Sequence, residues 1–192
     1  MQPIPAPDAD LLFDPAFLED PEVFEALRVE VPWSQGAIRM FGREIPEPRL
    51  SCWMGDAGAS YRYSGRELTP LPWTPGVAAV RAAVEEATGA AFNSVLVNLY
   101  RDGADAMGWH ADDERELGAA PAIASLSLGA PRRFLLKHKR DKTRRIELSL
   151  GGGSLLLMRG PTQACWLHSV PRTKRAVGPR INLTFRRVIS PG

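Results

Sequence analysis

Apolar and polar residues alternate with a period of two over much of this chain, the pattern of strands that bury one face. In "AIASLSLG", residues 122–129, Ser125, Leu126, Ser127 and Leu128 alternate after Ile123, and a glycine follows. The segment "SVLVNLY", 94–100, is instead a run of branched apolar residues, as in a buried strand. "RRFLLKHK", "RRIELSL", "GSLLLM" and "RINLTFRRV" continue the series, set apart by Gly, Pro and charged turns. One stretch, "TPGVAAVRAAVEEATGA", has helical spacing and predicts a helix from about Pro75 to Gly89. A weaker helix is read over "DPAFLEDPEVFEALRVE", interrupted near Pro21. Many short strands with one or two N-terminal helices predict an α+β chain, mostly β, built as a double sheet. The proline-rich first ten residues read as a disordered arm, and residues 11–192 as one domain without internal repeats or a linker.

Composition narrows the setting. The chain has 192 residues, 44% of them hydrophobic, enough for a substantial core. Nothing runs apolar long enough to span a membrane, and "MQPIPAPDAD" lacks the basic-then-apolar order of a signal peptide. Cys52 and Cys165 lie far apart and form no CxxC, which suits free thiols in a reducing cytosol. Net charge is only +2, but eight acids and Arg28 alone fall in residues 1–30, so the remainder carries 23 basic against 14 acidic residues. Much of that excess is local: "RRFLLKHKRDKTRR", 132–145, and "PRTKR", 171–175. Two basic clusters in a small domain point to a polyanionic partner.

The chemistry concentrates around "GWHADDERE", 108–116. Side chains two apart on an extended segment share a side, so His110 and Asp112 can face one point, as two metal ligands must. The third donor is His138 or His168. His138 lies in "KHKRDK", where neighbouring cations oppose a divalent ion, and reads as a solvated histidine. His168 ends an apolar stretch, where an imidazole needs a reason to be present. Strand spacing in "RINLTFR" puts Arg180, Asn182, Thr184 and Arg186 on one face and Ile181, Leu183 and Phe185 on the other. Two arginines on one inward face call for a dianion such as a dicarboxylate, held by charge-assisted forks. Asn98 and Tyr100 in "NLY" offer a second polar face.

A site of two histidines and one carboxylate with open positions marks non-haem Fe(II) oxygenases. The order Asn-x-Tyr, His-x-Asp, a distant His and Arg-x-Asn-x-x-x-Arg resembles the AlkB family of Fe(II)- and 2-oxoglutarate-dependent dioxygenases. The resemblance is strongest to its DNA-repair members. It rests on "NLYRDGADAMGWHADDERELG", "AIASLSLGAPRRF", "GSLLLMRGPTQACWLHSVP" and "PRINLTFR", with "RMFG" and "YRYSG" upstream. It extends from about Arg39 to Val188 and leaves residues 1–30 outside.

The resemblance implies a double-stranded β-helix, or jelly-roll, core with a nucleotide-recognition lid over roughly 36–66. It implies Fe(II) on His110, Asp112 and His168, with 2-oxoglutarate and dioxygen as co-substrates. Arg180 and Tyr100 would hold the distal carboxylate, Arg186 and Asn98 the end nearer the metal, with Asn182 and Thr184 in the same network. The implied reaction hydroxylates a methyl group on a base of the 1-methyladenine or 3-methylcytosine type, which then leaves as formaldehyde. Asp113 and Glu114 would meet the cationic base, Tyr61 and Tyr63 would form its wall, and the base would lie between Tyr63 and His110. Met40 and Phe41 would wedge into the duplex. Arg49, Lys137, Lys139, Arg140, Arg172 and Lys174 would touch phosphates. The expected partner is alkylated DNA, or RNA, bound by a monomer with no membrane attachment. Alternatives are the same chemistry on RNA, protein or a small molecule, or a non-catalytic binding module.

Overall fold

Strand follows strand because the alternating segments are punctuated by glycine and proline turns. The computed structural model describes the backbone of residues 1–40, 43–59, 61–63 and 66–189, with side chains there except those of 38–43 and 60–68. In chain order the first strands are β1 (Gln2–Pro3), β2 (Asp10–Asp14), β3 (Ala37–Met40), β4 (Arg43–Pro46), β5 (Leu50–Gly55), β6 (Tyr61–Tyr63) and β7 (Arg66–Leu68). They are followed by β8 (Ser94–Tyr100), β9 (Met107–His110), β10 (Ile123–Gly129), β11 (Arg132–His138), β12 (Arg145–Leu150), β13 (Ser154–Arg159), β14 (Trp166–Val170) and β15 (Arg180–Arg186). The helices are α1 (Pro21–Glu30), α2 (Pro75–Thr88) and a single turn, α3 (Thr162–Cys165).

Seven strands form an antiparallel sheet in the order β1-β2-β13-β10-β15-β8-β5, and four form a second in the order β12-β11-β14-β9. The pairs β3–β4 and β6–β7 are separate hairpins. Two packed antiparallel sheets flanked by helices make the mostly β jelly roll that the sequence predicts. In the large sheet, β15 pairs with β10 on one side and β8 on the other, so Asn182 stands between Ser127 and Asn98.

The two faces of β15 build different interiors. Ile181, Leu183 and Phe185 enter a core closed by Leu27 of α1 and Val77, Val80 and Val84 of α2. The spacing of those valines explains α2: they lie on one helical stripe that packs onto the sheet. Gly89 ends the helix in the left-handed region and donates its N–H to the Glu85 carbonyl. The second core lies between the sheets, where Ile123, Leu156 and Met158 meet Phe134, Leu136 and Trp166. Gly129 ends β10 at φ +82°, where a Cβ would stand 2.5 Å from the Pro179 carbonyl and 2.8 Å from the Phe24 ring. Only glycine fits that turn.

Two expectations need correction. Pro21 does not interrupt a helix beginning earlier; it starts α1, because a missing N–H costs nothing in the first turn and the Asp20 side chain accepts from Glu22 N at 2.9 Å. The first ten residues are not a loose arm. β1 pairs with β2, Ile4 and Ala6 pack against the inter-sheet core, and Trp166 Nε1 donates to the Pro7 carbonyl at 3.1 Å. That burial and the buried indole's need for an acceptor outweigh the freedom of the proline-rich segment.

Both cysteines are free, Cys52 within the helix-side core and Cys165 half-buried on α3. Burial pushes the Cys52 thiol up to about 11, so its thiolate is scarce at any pH below that value. Iodoacetamide at pH 8 is therefore expected to label Cys165 and spare Cys52 in the native protein, and to label both in urea. Peptide mass spectrometry reads the result, and native labelling of Cys52 at the urea rate would contradict this packing.

Candidate metal and co-substrate site

The strands β9 and β14 are neighbours, and their register sets His168 opposite His110. The two rings meet edge to face at 4.2 Å between centroids, and His168 also stacks on Phe134 of β11 at 5.4 Å. Asp112 follows on the segment beyond β9 and is 1% exposed. One ligand atom from each of His110, Asp112 and His168 lies within 4.8 Å of the others, the spacing a single ion requires. His110 Nδ1–H donates to the Gly108 carbonyl at 2.9 Å, which leaves Nε2 as the nitrogen with a lone pair.

The electrostatics favour a cation at this point. Burial alone would raise the Asp112 carboxyl. Arg186 and the two imidazoles more than offset that effect and hold it at about 2, so it is a carboxylate. Its Oδ1 accepts from Arg186 Nη2 at 2.6 Å, while buried Oδ2 has no hydrogen-bond partner among the described residues and stands 3.9 Å from His168 Nε2. Burial and the neighbouring His110 push His168 down to about 3, so it is a neutral ligand. An unshared carboxylate oxygen beside two imidazole nitrogens fits Fe(II).

The polar face of β15 lines the cleft beside these three. Thr184 Oγ1 donates to Asn182 Oδ1 at 3.0 Å, and Asn182 Nδ2 donates to Ser125 Oγ and the Leu126 carbonyl, each at 2.9 Å. Arg180 lies deeper, with its guanidinium 5.1 Å from the Tyr100 ring centroid. Its Nη2 donates to Ser127 Oγ at 2.8 Å, while Nε and Nη1 have no hydrogen-bond partner among the described residues. Burial pulls Arg180 down to about 10, which still leaves it fully charged near neutrality. A buried charge with donors to spare is a socket for an anion.

The structure therefore gathers His110, Asp112, His168, Asn98, Tyr100, Asn182, Thr184 and Arg186 around one cleft, with Arg180 behind Tyr100. It also redirects several expected residues. Arg186 is bonded to Asp112 rather than held open for the co-substrate alone. Arg49 cannot reach a phosphate: it is 5% exposed, donates to Asn98 Oδ1 at 2.9 Å and pairs with Glu47 at 2.8 Å. Lys139 is held by Asp113 Oδ2 and the Gln163 carbonyl, both at 2.8 Å. His138 is buried rather than solvated, with Nδ1 accepting from Asp141 N at 2.9 Å, and it takes no part in the metal cluster. Lys137 covers the exposed Trp109 ring at 4.2 Å, and Arg140, Arg172 and Lys174 are exposed.

Asp113 is exposed beside Lys139, and Glu114 is half-buried, with burial, then the nearby Asp112, raising its carboxyl. Met40 pairs with Arg43 across the β3–β4 hairpin. Tyr61 and Tyr63 sit on β6 paired with Leu68 and Arg66. Those three side chains, and Phe41 altogether, lie outside the described residues.

Four contributors were not legible in the sequence. Ser125 and Ser127 were visible as an alternation, but their partners on β15 were not. Arg132, counted among surface cations, is buried and donates to the carbonyls of Asp102, Asp105 and Pro171. Gln163, whose Oε1 accepts from Asp112 N at 2.9 Å, is 51 residues away in sequence and carried no local signal.

Comparison with known proteins agrees with this geometry. Residues 16–186 match the model of the 2OG-Fe(II) oxygenase superfamily. The chain is 44% identical over 192 residues to DNA oxidative demethylase ALKBH2 of Mus musculus, covering 95% of this chain and 80% of that protein. It is 43% identical over 178 residues to alpha-ketoglutarate-dependent dioxygenase alkB homolog 3 of Mus musculus, covering 86% and 60%. The solved structure of OsALKBH1 superposes with a TM-score of 0.64 over 92% of this chain and 97% of that one, at 19% identity, which bears on the fold alone. The His–Asp–His cluster, the arginine-bearing strand and these matches have one consequence: the chain belongs to the 2OG-Fe(II) oxygenase superfamily, among the AlkB homologues.

Proposed function

We propose that this dioxygenase is an oxidative demethylase of N-alkylated bases in DNA. The observation that carries the reading is one cleft holding His110, Asp112 and His168 beside the polar face of β15. The substrate class is drawn from relatives named DNA oxidative demethylases, at 37–44% identity.

His110 Nε2, Asp112 Oδ2 and His168 Nε2 are the atoms we assign to Fe(II). When bound, Fe(II) would supply the chemistry by which one dioxygen oxidises both partners, one oxygen atom going to 2-oxoglutarate as it becomes succinate and carbon dioxide and the other to a methyl group as it becomes hydroxymethyl. The work of the chain is binding and exclusion of water. Arg180, with two donors to spare and Tyr100 beside it, takes the distal carboxylate of 2-oxoglutarate. Asn98, Asn182 and Thr184 keep the wall between that carboxylate and the metal polar and rigid. Arg186 keeps Asp112 ionised, and Phe134 and Met158 dry the cleft.

Bases methylated at these ring nitrogens are cations, so Asp113 and Glu114 beside the metal are suited to receive them. The β3–β4 and β6–β7 hairpins, which span the expected lid at roughly 36–66 and run on to Leu68, serve as the lid, with Met40, Phe41, Tyr61 and Tyr63 meeting the nucleic acid. The hydroxymethylated base then releases formaldehyde and is restored. Incubation of oligonucleotides carrying 1-methyladenine or 3-methylcytosine with Fe(II), ascorbate and 2-oxoglutarate tests the reading. Loss of 14 mass units per lesion (one CH₂) is the expected outcome, and conversion of methylated RNA or free nucleosides in preference to DNA would overturn it.

His110→Ala and Asp112→Asn, which keeps an oxygen toward Arg186, are each expected to abolish demethylation and to remove bound iron while the circular dichroism of the fold persists. Wild-type turnover in either would remove it from the metal set.

Arg180→Ala is expected to raise KM for 2-oxoglutarate by more than roughly 30-fold. A charged partner left unpaired costs on the order of 2–5 kcal/mol. Iron binding stays intact in that variant, whereas Arg186→Ala impairs both because it also releases Asp112. An unchanged KM in Arg180→Ala would assign that arginine to structure alone.

Phe41→Ala is expected to depress activity on duplex lesions more than on single-stranded ones, since only the duplex requires a base to be extruded at a cost of a few kcal/mol. The ratio of the two rates measures this; equal losses with a lowered Tm would mark Phe41 as a core residue.

A further inference from the structure

Asp112 meets both Arg186 and the two histidines, yet it lies in a segment, 111–114, that belongs to no helix or strand. Such a segment has no ladder of hydrogen bonds to fix its backbone. A carboxylate that must meet an ion within a few tenths of an ångström needs its main chain held as well as its oxygens. Arg186 holds Oδ1. The main chain is held from elsewhere.

The Asp112 N–H donates to Oε1 of Gln163 at 2.9 Å. Gln163 sits on the single turn α3 and is 1% exposed, a costly place for a carboxamide unless its polar atoms are used. Its Nε2 has only a weak contact, 3.5 Å from Met158 Sδ, so the strong bond it makes is the one to Asp112.

The turn that presents Gln163 is itself clamped. Thr162 Oγ1 donates to the Arg159 carbonyl at 2.6 Å and accepts from Asp10 N at 2.9 Å. Cys165 N donates to the Pro161 carbonyl at 2.9 Å, and Lys139 N donates to the Cys165 carbonyl at 2.8 Å. The Lys139 ammonium then bridges the Gln163 carbonyl and the Asp113 carboxylate, tying α3 to the residue after Asp112 a second time. Packing alone would be met by an apolar side chain of the same length. The carboxamide oxygen is needed only for the Asp112 N–H.

We infer that Gln163 is a positioning residue for the metal centre: its carboxamide oxygen fixes the Asp112 backbone so that Oδ2 faces the two imidazoles. Lys139 serves the same end by anchoring Gln163 and Asp113 together. The inference rests on the assignment of His110, Asp112 and His168 to the metal, and it reaches beyond that set to a residue that never touches the ion. Loss of outer residues that orient metal ligands weakens affinity by about 10- to 100-fold.

The test uses the full chain without 2-oxoglutarate or DNA and titrates Co(II), followed by its visible absorption, alongside the Tm of the metal-free protein. Gln163→Met keeps the length and removes the acceptor; Gln163→Glu restores an acceptor oxygen. Gln163→Met is expected to weaken Co(II) binding by about 10- to 100-fold with the metal-free Tm preserved and turnover recovered at high Fe(II), while Gln163→Glu stays within about threefold of wild type. Binding by Gln163→Met within about threefold of wild type overturns the inference, as does equal loss in both variants with a collapsed Tm. If Gln163→Met does not fold, Lys139→Met decides: weakened Co(II) binding supports the clamp, and unchanged binding overturns it. The metal assignment fails separately, if His110→Ala leaves the wild-type Co(II) spectrum intact.

Discussion

Four polar side chains on one central strand, Arg180, Asn182, Thr184 and Arg186, have to be buried for the two sheets to close on each other. Two of them are guanidiniums, and burying an unpaired charge costs far more than burying any single apolar contact returns. The architecture around β15 supplies what that burial requires. Ser125 and Ser127 arrive from β10 and Asn98 and Tyr100 from β8, while Asp112 comes from the segment beyond β9. The ion pair between Arg186 and Asp112 joins the large sheet to the segment beyond β9, and it is what makes a buried carboxylate beside two imidazoles tenable.

From that constraint the division of labour follows. The apolar face of β15 and the helix stripe of Val77, Val80 and Val84 supply most of the hydrophobic burial on one side, where no chemistry takes place. The inter-sheet side trades some of that stability for function: it keeps an unshared carboxylate oxygen and two unused guanidinium nitrogens in a low-dielectric space. Both strain points are of the sign a ligand would relieve, a cation at Asp112 and an anion at Arg180. A cofactor and a co-substrate that relieve them would add stability to the loaded protein.

The lysines and arginines outside the cleft divide in the same way. Arg49, Arg132 and Lys139 look alike in the sequence, as members of a basic excess, but the fold spends them internally. Arg140, Arg172 and Lys174 remain outward, where long cationic side chains are free to meet phosphates. A count of basic residues thus overstates the nucleic-acid surface, since it cannot separate a cation that holds loops together from one that waits for a partner.

Local pattern settled what local physics controls. Alternation over 122–129 and 180–186, the branched run at 94–100 and the valine stripe of α2 each specify an element and the face it buries, because period and steric preference act within a few residues. The spacing of His110 and Asp112 and the two faces of β15 made most of the side chains that line the proposed metal and co-substrate cleft legible for the same reason. What tertiary structure alone decided are the meetings across long separations. His168 rather than His138 faces His110 because β14 lies beside β9, and His138 is consumed by its own turn. Pro7 finds Trp166, Arg186 takes Asp112, and Gln163 holds the Asp112 backbone over gaps of 159, 74 and 51 residues. A hydrogen bond depends on distance in space and direction, and nothing in the residues flanking either partner encodes where the chain will bring the other.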